Sequence, residues 1–363
     1  MDRRTNRNTF EFGLYTLGDL PADLHTGKMI SPHQRLKEIV EAAKIADEAG
    51  IDVFGVGEHH RLDFAVSSPP VVLAAIAQAT KRIRLTSATT VLSTADPVRV
   101  FEDFATLDLL SDGRAEIISG RGAFLESFPL FGYELEHYHA LFLENMKLLQ
   151  ELNANERVTW NGDFRSALNN AEIAPRPMQS KLPLWVGVGG TTASAALAGS
   201  LGTNMAIAIL GGDPARFQPL VNAYKQAGME AGYQAKDLSV GITSHGYIAP
   251  TSQQALEEFY PYYANYASEF NGNKAESNKL SKDQFKIMTG PKTGLAVGSP
   301  EQIAEKILAQ HAMFGHSRYM LQLDIGGVPL SKIAKAIELL ATEVAPMVRR
   351  ELSKRTDQAI VKS

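Results

Sequence analysis

The sequence predicts an α/β fold, a (β/α)8 TIM barrel with insertions, and three observations point to it. Strand-like and helix-like segments alternate eight times along the 363 residues, the pattern of parallel βα units. Titratable residues gather where apolar runs end, most clearly where Val53-Phe54-Gly55-Val56-Gly57 passes into Glu58-His59-His60, and barrels keep their chemistry at that end of their strands. The alternation breaks near 153–181 and 271–293, so residues 1–363 read as a single barrel domain with two insertions. That length lies within the range of large barrels.

In chain order, Thr9 to Leu17 starts with alternation and is the first strand. Leu36, Ile39, Val40, Ala43 and Ile45-Ala46 recur at helical spacing, which predicts a helix from Pro32 to Ala49 stopped by Gly50. Val53 to Gly57 is the second strand. Pro69-Pro70 opens the helix Val71 to Thr80, since prolines cost little in a first turn whose N–H groups lack partners. Ile83 to Leu92 is the third strand, Pro97 to Leu110 the third helix, and Ala115 to Ser119 a fourth strand closing on Gly120-Arg121-Gly122. His137 to Leu152 is the fourth helix. In the first insertion Trp160 to Phe164 reads as a small hairpin, and Pro175 and Pro177 mark irregular chain.

The rhythm then resumes with strand Leu184 to Val188, helix Ser194 to Leu201, strand Met205 to Leu210, helix Pro214 to Ala231, strand Leu238 to Ile248 and helix Ser252 to Phe270. Asn271 to Thr293 is polar and aperiodic and reads as a long loop; loops of that length inside a domain serve as functional lids or stay disordered. A helix start at Gly298-Ser299-Pro300-Glu301, the strand Arg318 to Leu323 and the helix Leu330 to Arg350 complete the series.

Composition narrows the function classes. A net charge of -4 with scattered lysines and arginines gives no reason to expect nucleic acid or a membrane as partner. The chain has no cysteine, which excludes disulfides, thiolate nucleophiles and Cys-ligated metal centres and fits a reducing compartment. The basic N-terminus lacks an apolar signal core, and no apolar run approaches the ~18 residues of a membrane span, so a cytoplasmic protein is expected.

The groups at predicted strand ends are Glu58-His59-His60, Ala88-Thr89-Thr90, Ser119-Gly120-Arg121-Gly122, Gly189-Gly190-Thr191, His245 and Asp324. Adjacent histidines in an extended chain face opposite ways, so at most one of His59 and His60 faces the barrel mouth, and no metal site is expected. Gly189-Gly190-Thr191-Thr192-Ala193-Ser194 opens a helix after a strand and reads either as an anion cradle of backbone N–H groups and hydroxyls or as a plain helix cap. Arg121, between two glycines, reads as a phosphate clamp or as half of a structural salt bridge. Gly187-Val188-Gly189 lacks the third glycine of a dinucleotide fingerprint, Thr192 standing in its place.

Taken together, Glu58-His59-His60, the run Thr86 to Arg99, Glu102-Asp103, Leu107-Asp108, Ser111-Asp112-Gly113-Arg114, Gly120-Arg121-Gly122, Phe131-Gly132, the segment Gly189 to Met205 and Val297-Gly298-Ser299-Pro300 resemble the bacterial luciferase family of flavin-dependent oxidoreductases. The resemblance spans nearly the whole chain. It implies a luciferase-like barrel that takes FMN in its reduced form as co-substrate from a separate NAD(P)H:flavin reductase and uses O2 on a small organic substrate. It also implies that His59 is the catalytic histidine and that Arg121, Thr191 and Ser194, helped by Gly189 and Gly190, hold the flavin phosphate. Ala88-Thr89 would be a non-prolyl cis peptide under the flavin ring, and 271–293 a lid. By the same resemblance a homodimer forms through helices of the first half, where Val71 to Thr80 is rich in small residues. Two other readings share the fold: a deazaflavin-dependent dehydrogenase, and a flavin-binding partner subunit without catalysis. The reactive cysteine of the light-emitting subunits is replaced by Gly120, which argues against luminescence.

Overall fold

The computed structural model describes residues 10–24, 26–270 and 280–362. Eight strands form the barrel: β1 (Glu11–Thr16), β2 (Val53–Val56), β3 (Arg84–Ser87), β4 (Ala115–Gly120), β5 (Leu184–Val188), β6 (Asn204–Ala208), β7 (Val240–Ile248) and β8 (Arg318–Gln322). Each pairs in parallel with the next, and β8 pairs with both β7 and β1, so the sheet closes on itself. The predicted eight-fold alternation is therefore the observed one. Closure removes both sheet edges and places every strand's C-terminal end on one rim.

Alternation along each strand divides the side chains between two cores. Outward residues such as Phe12, Leu14, Phe54, Leu85, Ile117 and Val186 pack under the surrounding helices in the larger core, whereas Tyr15, Val53, Ile118, Trp185, Ala206 and Met320 fill the barrel. At the N-terminal end the interior is closed by charge. Arg318 is buried, donates from Nε to Glu11 (2.8 Å), pairs with the buried Glu116, and stacks on Trp185 with its guanidinium carbon 4.2 Å from the ring centre. Arg84 of β3 pairs with Glu11 across the intervening β2. Among the described residues these charged pairs close the N-terminal end of the barrel.

Local signals explain the element ends. Gly50 ends the first helix in the left-handed conformation (φ 86°) and returns its N–H to the last turn, a conformation that glycine adopts without penalty. Asp96 caps the helix Pro97–Leu110 through the N–H groups of Val98 and Arg99. Among the described residues no helix is long and apolar enough to cross a membrane.

Three expectations are corrected. The third strand does not run from Ile83 to Leu92: it stops at Ser87 and resumes as the pair Thr90–Val91, with the cis peptide bond Ala88–Thr89 between them. The first insertion is a larger hairpin than Trp160 to Phe164, with Arg157–Trp160 antiparallel to Leu168–Glu172. Its turn is gripped by the carboxylate of Glu144, which accepts from the N–H groups of Asp163, Phe164 and Arg165. The polar stretch 271–293, where a lid was expected, is not all loop, since Lys282–Met288 is helical with Ser281 and Gln284 forming a capping box; its first part, 271–279, lies outside the described residues.

Candidate active site

The site is built on the loop that follows β2. His59 donates its N–H to the Val66 carbonyl (2.9 Å), which pins the loop, and its buried ring lies between Phe64 and Phe124 with centroids 4.2 and 5.0 Å away. Its Nδ1 stands 3.6 Å from Oε1 of Glu126. Burial lowers the pKa of His59, and the Glu126 carboxylate pulls it back up. His60 turns away: its Nε2 is 2.9 Å from Oε1 of Glu58, whose Oε2 accepts the Val91 N–H at 3.0 Å. The two imidazoles diverge as expected, although β2 has already ended at Val56 and the loop's anchors, not strand alternation, separate them.

Arg121 follows the last residue of β4. Its Nη1 donates to Ser194 Oγ (3.1 Å), which lies 2.8 Å from Thr191 Oγ1. Thr191 is the N-cap of the helix Thr192–Ser200, accepting from the Ser194 N–H. The guanidinium rests on Phe142, 4.3 Å from the ring centre. Arg121 has no carboxylate partner among the described residues, its Nε is buried without a hydrogen bond, and burial lowers its pKa. A desolvated cation in that position calls for an anion. Gly189 and Gly190, beside the helix start, have open space where a Cβ would stand. These features fit a phosphate monoester.

The two halves meet at Ala88–Thr89. Thr90 and Val91 align with Ser119 and Gly120 of β4, while the methyl of Ala88 and the side chain of Thr89 fill the space left by glycines. A Cβ on Gly55 would lie 2.9 Å from the Ala88 Cβ, and one on Gly120 only 2.6 Å from Thr89 Oγ1. A Cβ on Gly187 would likewise lie 3.1 Å from Thr89 Cγ2, so glycines on three strands make room for this pair.

The opposite wall was marked in the sequence by His245 and Asp324. Arg35 Nη2 donates to Asp324 Oδ2 (2.7 Å) and Asp19 Oδ1 (3.2 Å), and Asp19 Oδ2 accepts the Gly326 N–H. Burial, then the neighbouring Asp324, raises Asp19 to about 6. His245 packs against Tyr263 and Tyr266, and burial lowers it to about 4. Sequence reading missed Glu126, Asp19 and Arg35, because none sits at a predicted strand end and each gains its partner from a distant segment.

The family model for luciferase-like monooxygenases matches residues 10–317, and the chain belongs to that family. The oxygenase component of flavin-dependent trigonelline monooxygenase from Acinetobacter baylyi is 24% identical over 358 residues, covering 92% of this chain and 94% of the relative. The F420-dependent glucose-6-phosphate dehydrogenase of Amycolatopsis mediterranei is 27% identical over 286 residues, covering 75% and 84%. Among solved structures, the oxygenating constituent of 3,6-diketocamphane monooxygenase from Pseudomonas putida, a type II Baeyer-Villiger monooxygenase in complex with FMN, superposes with a TM-score of 0.74 at 18% identity, covering 93% of this chain and 98% of that one. This last likeness is one of fold.

Proposed function

We propose that the protein is the oxygenase of a two-component system, an FMN-dependent monooxygenase that takes reduced FMN from a separate reductase and uses O2 on a small organic substrate. The observation that carries the reading is Arg121, a half-buried guanidinium whose buried Nε has no hydrogen-bond partner among the described residues, beside the Thr191–Ser194 helix start. Arg121, Thr191, Ser194 and the backbone of Gly189 and Gly190 would hold the phosphate, and Ala88–Thr89 would lie under the ring. Reduced FMN would supply the electrons that activate O2.

The protein's part is positioning, water exclusion and proton handling. With Nδ1 of His59 turned to Glu126, Nε2 is the nitrogen able to deliver or accept a proton. Phe64 and Phe124 shield that ring from water. A relative named for F420 keeps a deazaflavin-dependent hydride transfer as the second reading. Oxygen uptake by the purified protein with reduced FMN and with reduced F420 separates the two: binding and uptake with FMN alone support the proposal, and binding of F420 alone overturns it. We also propose a homodimer of 1–363 formed through the helices Pro69–Ala79 and Pro97–Leu110. Their outer faces expose Val71 (68%), Leu109 and Leu110; a light-scattering mass of one chain would refute it.

A further inference from the structure

We propose that the rim formed by the C-terminal ends of β1, β7 and β8 is a subsite for a positively charged nitrogen on the organic substrate, held against Asp324 and Asp19 and faced by the rings of Tyr15 and Tyr266. The proposal rests on the reading of the mouth as a substrate-oxygenating site, and names the substrate class it takes.

The charge count is the first argument. Asp19 and Asp324 share one guanidinium, that of Arg35, and Glu38 lies a further 4.0 Å from it. A latch between β1, β8 and the first helix would be neutral with one carboxylate. Two leave the rim over-neutralised, and Oδ1 of Asp324 is buried without a hydrogen-bond partner among the described residues. Unpartnered buried acceptors are costly unless something donates to them.

The second argument comes from the uncharged side chains beside the carboxylates. Gln322 and His245 are neighbours in register on β8 and β7. They are 1% and 3% exposed, and Gln322 Oε1 and His245 Nδ1 also lack partners. The His245 ring stands edge-on to Tyr266 with centroids 5.4 Å apart. Tyr15, inside the barrel, lines the same small cavity as Asp324, and Tyr266 lies within reach of the Asp19 charge. An ammonium would donate to these acceptors, and an N-alkylated heteroaromatic cation, which has no N–H to give, would be held by the carboxylate charge and the aromatic rings.

Placement next to the reacting groups is the third. Asp19 pairs its backbone with Phe64, whose ring lies 4.2 Å from that of His59. A cation held at the rim would therefore bring the rest of its molecule beside His59.

The test uses the purified full chain at pH 8, titrated calorimetrically with and without FMN against three similar-sized probes: 1-methylpyridinium, toluene and benzoate. The expected result is at least tenfold tighter binding of 1-methylpyridinium than of either other probe. Asp324→Asn, which keeps an oxygen for Arg35, should erase that preference and leave FMN affinity unchanged. Tyr266→Leu spares the carboxylates and should weaken the cation several-fold. Equal binding of the three probes, preference for benzoate, or a cation preference untouched by both substitutions overturns the proposal. FMN affinity is read in the same samples, so failure of the FMN reading shows as lost flavin binding while the order of the probes still judges the subsite.

Discussion

Nδ1 of His59 stands 3.6 Å from Oε1 of Glu126, a residue that also accepts the His60 N–H at 3.4 Å. One carboxylate thus faces both the buried imidazole and the backbone of its loop. Glu126→Gln removes the charge that counters burial, so the acid limb of the pH–rate profile assigned to His59 should move to lower pH. His59→Ala should lower kcat by about 10²-fold or more with FMN affinity unchanged. An unaltered oxygenation rate in His59→Ala would remove it from the chemistry.

Arg121→Ala should weaken FMN binding by about 1.5–3 kcal/mol, the worth of a charge-assisted hydrogen bond, with little change in unfolding free energy. Arg121→Lys should recover only part of it, since a point charge cannot replace the planar fork. Flavin affinity measured by fluorescence titration checks both.

His245 gives a pH dependence whose sign follows from its burial. The folded state keeps it neutral down to about 4, whereas in the unfolded chain it protonates near 6.5. Its contribution is fully present above pH 6.5 and is lost as pH falls towards 4, a loss of about 3 kcal/mol. Urea unfolding of wild type and His245→Gln at pH 7.5 and 4.5 should show the shallower fall in the variant.

Glu116→Ala would leave Arg318 at the closed end of the barrel with Glu11 alone. Breaking a buried ion pair from one side costs about 3–5 kcal/mol, so the unfolding midpoint should drop sharply. Flavin affinity, at the other end of the barrel, should not move.

Gly120→Ala should destabilise the fold by about 1–3 kcal/mol through overpacking, because the new methyl would lie 2.6 Å from Thr89 Oγ1. Adding Thr89→Ala should restore most of it. Thermal unfolding of the two variants decides.

What was legible in the sequence follows from range of interaction. The barrel strands were readable because apolar runs and turn residues are local, and His59, Arg121, Thr191 and Ser194 stood out as candidates because they stand at strand ends or helix starts. The break at Ala88 carries no glycine or proline to announce it, and only the family resemblance pointed to a cis Ala88–Thr89 peptide. The helix Lys282–Met288 hid in a polar stretch, though Ser281 and Gln284 spelled its capping box. Glu126 lies in aperiodic chain, and Arg35 reads as one more helix-surface cation until Asp324, from the far end of the sequence, is folded against it.

The contact between Gly120 and Thr89 also couples the two positions. A cysteine at 120 would bring its Cβ as close to Thr89 Oγ1 as an alanine would, so it costs less beside a smaller residue 89. Libraries that vary the two positions together would reach side chains that single-site scanning discards.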